Sequence, residues 1–238
     1  MCGMNVIRTT AIVLAAGQGK RMQSSVRKQY LLIGDKPVLY YSLKAFEDSI
    51  IDDLVLVVGE GEEDYCQREL IDKYGFCKIR AVVCGGRERY HSVAYGLRAI
   101  SWKCDYAFIH DGARPFVDDQ IINRVYDEVR QSRACVVGMP VKDTIKVADE
   151  RGYVACTPDR ARIWQIQTPQ VFEKKLIATA YEKLLEQEEK LSAEGVTVTD
   201  DAMVVEYFMN VPVKLVQGSY ENIKITTPED LKIAETLI

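Results

Sequence analysis

Apolar residues recur along the chain in two patterns, short unbroken runs and helix-spaced stretches, and the two alternate. The runs at residues 11–14, 54–58, 79–84, 106–109 and 135–137 have the length and β-branched content of buried strands. Between them, Leu39, Leu43 and Phe46 fall on one helical face behind Pro37, which suits a first helical turn. Ile121, Ile122, Val125 and Val129 do the same behind an N-cap at Asp118 or Asp119. Residues 62–74 and 89–100 also predict helices. Strands alternating with helices predict an α/β layered fold with a largely parallel sheet.

After residue 140 the alternation breaks. Two short β-like runs, 144–147 and 153–156, flank a turn signal at 148–152 and predict an inserted hairpin over about 141–160. A two-stranded hairpin is marginal alone in water, so it must pack on its own domain or on a partner subunit. Downstream, 174–190 predicts a charged, solvent-facing helix and 202–208 another, with Asp200-Asp201 at its N-cap. Residues 213–216 and 222–225 read as strands closing the sheet. Thr227-Pro228-Glu229-Asp230 opens the last helix, with acids at its positive end. No repeat or linker interrupts the pattern, so residues 1–238 read as one domain carrying the insertion.

Composition narrows the classes of function. The 238 residues are 47% apolar and 28% charged, which excludes a disordered chain. The balance of 31 basic and 35 acidic side chains, net −4, gives no basic face for nucleic acid or a membrane. A small anionic ligand needs only a few local cations and stays open. Seven scattered cysteines lack any C-x-x-C pair and predict reduced thiols. The N-terminal residues have no apolar signal core, and no run approaches the ~20 apolar residues of a membrane span, so a cytoplasmic location is expected. Two histidines, His91 and His110, leave no room for a His-rich zinc site.

The most informative segment is Ala15-Ala16-Gly17-Gln18-Gly19-Lys20-Arg21-Met22, followed by Lys28. It lies at the C-terminal end of the first strand, where open α/β sheets bind ligands. Small residues let successive N–H groups approach an anion. Lys20, Arg21 and Lys28 add three cations within nine residues, the composition of a polyphosphate site. An ordinary glycine turn with surface cations has the same composition. Walker A spacing fails, because Leu14 stands where the first glycine belongs and Arg21 follows Lys20. A dinucleotide fingerprint fails at Met22. Gly59-Glu60-Gly61, behind the second strand, likewise lacks the remaining glycine of a dehydrogenase.

Further strings follow in order: KQYL at 28–31, GGRERYHSV at 85–93, HDGARP at 110–115, PVKDTIK at 140–146, TPDR at 157–160, QTPQ at 167–170, TVTDD at 197–201 and NIKIT at 222–226. With AAGQGKRM they span nearly the whole chain and resemble the 2-C-methyl-D-erythritol 4-phosphate cytidylyltransferase family of isoprenoid synthesis. The resemblance implies the nucleotide-diphospho-sugar transferase fold, a Rossmann-like, mostly parallel sheet flanked by helices, with the hairpin serving as the dimerisation arm of a homodimer. It implies attack of a sugar-alcohol phosphate on the α-phosphorus of CTP. Both reactants are anionic, so the work is positioning and charge neutralisation, and no histidine base is required.

By the same resemblance, Arg21 and Lys28 stabilise the transition state, and Arg160 and Lys224 position the methylerythritol phosphate. The backbone of Ala15, Ala16 and Gly17 binds nucleotide, with Gly86 and Ser92 near the base and Asp111 near the phosphates or ribose. Mg²⁺ bridges the CTP phosphates and keeps several waters; Asp111 is its candidate neighbour, and a carboxylate capping the loop before Arg114 is the alternative. Asp111, Gly112, Arg114, Thr168 and Thr199 face the substrate, and the arm carries Thr144 and Arg160 into the neighbouring subunit's site. Thr144 also reads as a plain strand threonine. Arg87 stands where the family often has an acidic or small residue, and carries no assigned contact. Gly112 replaces a more usual alanine, an exchange expected to be harmless.

Two other readings use the same residues. Ribitol 5-phosphate cytidylyltransferases share the loop, the HD-x-x-RP element and NIK-x-T, whereas PVKDT, TPDR and Trp164 favour the methylerythritol enzyme. A nucleotide-binding module that kept the fold and lost turnover would bind CTP without releasing pyrophosphate.

Overall fold

The computed structural model describes residues 6–17 and 27–238. The first apolar run is β1 (Thr9–Ala15), buried along almost its whole length. A small ribbon of β2 (Leu32–Ile33) and β3 (Lys36–Pro37) leads into α1 (Val38–Glu47), with Pro37 at its N-cap. Then come β4 (Asp53–Val58), α2 (Glu63–Cys66) running on into a π-helical segment Gln67–Asp72, and β5 (Ile79–Cys84). Next are α3 (Arg89–Ala99), β6 (Tyr106–Asp111) and α4 (Asp119–Ser132), whose N-cap Asp118 accepts from the Ile121 N–H at 2.7 Å. The second half holds β7 (Ala134–Pro140), β8 (Val147–Ala148), β9 (Val154–Cys156), β10 (Trp164–Glu173), α5 (Lys174–Glu186), α6 (Glu188–Ala193), α7 (Asp201–Met209), β11 (Lys214–Gln217) and α8 (Pro228–Glu235).

Seven strands form the central sheet in the order β11-β7-β10-β6-β1-β4-β5. Every pairing is parallel except the two made by β10, which runs antiparallel to both β6 and β7. Along β1, Ala11 and Val13 point into one apolar layer with Leu43, Phe46 and Val125, while Ile12 points into the other with Val93, Leu97 and Ile177. Both faces of the strand are therefore covered, which is why the runs are unbroken rather than alternating.

Four expectations need correction. β10 was not foreseen as a strand, because glutamines and Pro169 interrupt it and its register shifts between Ile166 and Gln170. Residues 222–225 are not a strand: Ile225 donates to the Ala113 carbonyl at 2.8 Å and packs with Ile33, Val38 and Ala234, and β11 closes the sheet instead. The 174–190 helix breaks at Gln187 into α5 and α6, and α5 buries Leu176, Ile177, Ala180, Tyr181 and Leu184 rather than facing solvent throughout. The hairpin pairs only Val147–Ala148 with Val154–Cys156, which leaves Thr144 outside any strand and exposed.

Candidate active site

The C-terminal ends of β1, β4, β5 and β6 open onto one cleft of about 910 Å³. Ala15, Ala16, Gly17, Lys28, Gly86, Ser92, Asp111 and Lys224 all line it, although they come from five separate stretches of sequence. Parallel strands make this convergence automatic, because each ends on the same edge of the sheet. Arg21, like the rest of 18–26, lies outside the described residues. The helical turn Lys28–Tyr30 follows directly, and the buried side-chain amide of Gln29 donates to the Ala15 carbonyl, tying that turn to the end of β1.

Across the cleft, the Ser92 hydroxyl accepts from the Gly86 N–H at 3.1 Å and so fixes the glycine loop after β5 to the first turns of α3. Asp111, the last residue of β6, is the electrostatic centre. Its Oδ1 accepts from Arg89 Nε at 3.2 Å and its Oδ2 pairs with Lys224 Nζ at 2.6 Å. Burial pushes its carboxyl up, but Arg89 and Lys224 outweigh that and hold it well below the usual carboxylate range. Arg89 in turn makes a two-pronged contact with Asp201, Nη1 to Oδ1 at 2.9 Å and Nη2 to Oδ2 at 2.8 Å. Such a forked pair fixes orientation as well as charge. The Tyr181 hydroxyl donates to the same carboxylate, and Gln170 Oε1 accepts from the Asp201 and Ala202 N–H groups.

Sequence reasoning missed Arg89 and the pairing role of Asp201. The only sequence signal was the position of Arg89 within GGRERYHSV, directly behind the glycine loop. The N-cap reading of the two acids divides: Asp200 caps α7, accepting from the Met203 N–H at 2.9 Å, while fully buried Asp201 pairs with Arg89.

Thr168, Arg114 and Gly112, expected as substrate contacts, are not among the residues that line the cleft. Thr168 is buried, and its hydroxyl is committed in both directions: it accepts from the Asp111 N–H at 3.1 Å and meets His110 Nδ1 at 3.0 Å. His110 Nε2 faces the Arg114 carbonyl, which can only accept, so Nε2 carries the proton and Nδ1 accepts from Thr168. Burial lowers the imidazole to a pKa of about 4, so at neutral pH it is an uncharged strut. The Arg114 guanidinium donates to the Asn222 carbonyl at 2.8 Å and thereby holds the loop that carries Lys224. Gly112 continues the ladder to β1, donating to the Leu14 carbonyl at 2.8 Å. A Cβ there would meet Leu39 Cδ1, the far end of that side chain, at 2.8 Å and the Leu14 carbonyl at 3.0 Å, so an alanine would need its neighbours to shift slightly.

Three further residues lie apart from the cleft lining. Thr199 is exposed and reaches Met203 Sδ at 3.6 Å. Thr144 and Arg160 sit exposed at the base of the hairpin, where Arg160 donates to the Lys142 carbonyl at 2.9 Å. Among the described residues, no group of three or more histidine, cysteine, aspartate or glutamate side chains could hold a metal, and no helix is long and apolar enough to cross a membrane.

The family model described as 2-C-methyl-D-erythritol 4-phosphate cytidylyltransferase matches residues 9–238. A protein of that name from Lachnoclostridium phytofermentans is 52% identical over 97% of this chain and 96% of its own length. One from Lachnospira eligens is 52% identical over 94% and 96%. The crystal structure of 4-diphosphocytidyl-2C-methyl-D-erythritol synthase from Anaerococcus prevotii superposes with a TM-score of 0.84 at 36% identity, covering 97% of this chain and 96% of that one. A sheet of this topology, a cleft of this lining and a match over nearly the full length agree: the chain belongs to the 2-C-methyl-D-erythritol 4-phosphate cytidylyltransferase family.

Proposed function

We propose that the chain transfers the cytidylyl group of CTP to 2-C-methyl-D-erythritol 4-phosphate, giving 4-diphosphocytidyl-2-C-methyl-D-erythritol and pyrophosphate. The observation that carries this reading is the convergence of the Ala15–Gly17 backbone, Lys28 and Lys224 around one cleft that Asp111 also lines. In the reaction, an oxygen of the acceptor phosphate bonds to the α-phosphorus of CTP, and the bond to the pyrophosphate oxygen breaks, its electrons leaving with pyrophosphate. No proton need be removed from a phosphate dianion, which suits a site of cations with neutral His110 beneath it.

In this reading, Ala15, Ala16 and Gly17 present backbone N–H groups to the triphosphate, Gly86 and Ser92 border the base, and Lys28 with Arg21 stabilises the transition state. Lys224 moves from Asp111 to the acceptor phosphate. Thr168, Arg114 and Gly112 act through the framework they hold. Asp111 is a single carboxylate, with both oxygens already facing cations, so the described residues do not make a resident magnesium cage. Magnesium would therefore come bound to the CTP phosphates, with Asp111 as its candidate protein neighbour, and would offset their negative charge. Free thiols at the six described cysteines suit a cytoplasmic setting.

Turnover of purified protein with CTP and each acceptor, followed as pyrophosphate release, tests this. We expect 2-C-methyl-D-erythritol 4-phosphate to give the higher kcat/KM. A clear preference for ribitol 5-phosphate overturns the choice of acceptor, and CTP binding with no pyrophosphate release overturns catalysis.

The hairpin exposes Val147, Tyr153 and Val154, apolar surface that its own subunit leaves uncovered. We read it as the arm of a homodimer that delivers Arg160 and Thr144 to the neighbouring cleft. Lys28→Ala and Arg160→Ala single variants, each strongly impaired alone, should recover activity when mixed, because some heterodimers then hold one intact site. Absence of recovery after demonstrated subunit exchange rules out a shared site.

A further inference from the structure

The turn that follows β4, Gly59-Glu60-Gly61-Glu62, is explained by neither a dinucleotide site nor the cleft chemistry above. Its Glu62 side chain, 16% exposed, reaches back to the turn Lys28–Tyr30 and the residue before it. Oε1 pairs with Arg27 Nε at 3.0 Å, and Oε2 accepts from the Tyr30 hydroxyl at 2.9 Å and from the Gly59 N–H at 3.1 Å. Arg27 and Tyr30 are the two flanks of the turn Lys28–Tyr30, closed by a bond from the Tyr30 N–H to the Arg27 carbonyl at 2.9 Å. One carboxylate therefore grips both ends of the turn that presents Lys28, and anchors it to the end of β4.

The surroundings are built for this grip. A Cβ at Gly59 would run into the Arg27 guanidinium, so the glycine leaves the space the arginine crosses. Glu62 N–H donates to the Gly59 carbonyl at 3.0 Å, which shapes the turn that aims the carboxylate. Tyr30 is steadied from its other side by Cys66 Sγ at 3.1 Å and by an edge-on contact with Tyr65. Arg27 lines the cleft beside Lys28. A displacement of about 1 Å in a catalytic group costs up to ~10²-fold in rate, so a side chain that fixes such a group acts on catalysis without touching substrate.

We propose that Glu62 is a positioning residue that sets the place of Lys28 in the cleft by holding Arg27 and Tyr30 together. This rests on the transition-state role given to Lys28. The test is a double-mutant cycle on kcat in the full-length protein: Glu62→Gln, Lys28→Ala and the two combined. Glutamine keeps the length and one acceptor oxygen but loses the charge that holds Arg27. We expect Glu62→Gln to lower kcat by about 10-fold with the KM for CTP changed less than about 2-fold, and to add nothing once Lys28 is alanine. Tyr30→Phe, which removes the other tie, should show the same dependence on Lys28 with a smaller loss, and serves if Glu62→Gln folds poorly. Equal losses from Glu62→Gln in both backgrounds overturn the positioning role alone. Near-normal kcat in Lys28→Ala overturns the role of Lys28 and this proposal with it.

Discussion

Lys28→Ala is expected to lower kcat by about 10²–10³-fold, the cost of losing one oriented charge donor at a developing oxyanion. Two anionic reactants meet in the cleft, and negative charge crowds around the α-phosphorus as the new bond forms. Lys28 lines the cleft on a short turn held to Ala15 by Gln29, and to the end of β4 by Glu62 through Arg27 and Tyr30. Its charge is thus delivered from a supported position, which makes the loss a transition-state effect more than a binding one. The KM for CTP should change much less, because the nucleotide's phosphates also meet the Ala15–Gly17 backbone. Steady-state pyrophosphate release at saturating CTP checks this, with urea midpoints to show that the fold is intact. A kcat within about 3-fold of the parent would remove Lys28 from the catalytic machinery.

How much of this was legible beforehand differs from element to element, for physical reasons. Strands buried on both faces must be apolar throughout, so β1, β4, β6 and β7 announce themselves, whereas β5, at the sheet edge and only half-buried, is legible from its own apolar run. β10 is also central, yet Gln165, Gln167, Gln170 and Pro169 hide it, because its polar side chains are used to tie neighbouring elements: Gln170 to the start of α7, Gln167 to the Ser219 carbonyl. Residues 222–225 alternate like a strand, but Ile223 and Ile225 pack into a satellite cluster with Ile33 and Val38. At the site, small residues after β1 and β5 were readable because backbone approach demands them. The fold treats the residues of HDGARP differently, which the string could not show: Asp111 lines the cleft, His110 is fully buried, and half-buried Arg114 is not among the lining residues. Arg89 and Asp201 stand 112 positions apart, and only the fold brings them together.

That ion pair carries the largest expected effect on stability: Arg89→Met should destabilise the protein by about 3 kcal/mol. Asp201 has no exposed surface, and removing the guanidinium leaves its carboxylate with the Tyr181 hydroxyl and no cation. Asp111 loses one of its two partners as well. The value belongs at the lower end for a broken buried pair, because Arg89 itself is 31% exposed. Urea unfolding, read as a shift in midpoint at constant slope, measures the change. The cost arises mainly from an uncompensated buried charge, not from lost packing, since methionine fills much of the same volume. Neutralising that charge should therefore return part of the loss, so Arg89→Met combined with Asp201→Asn is expected to be more stable than Arg89→Met alone. A loss below about 1 kcal/mol for Arg89→Met would class the contact with surface ion pairs. It would also remove the reason to treat α3, α7 and the Asp111 end of β6 as one electrostatic unit. If the full loss appears and Asp201→Asn relieves it, the cleft floor is held by charge balance as much as by the sheet beneath it.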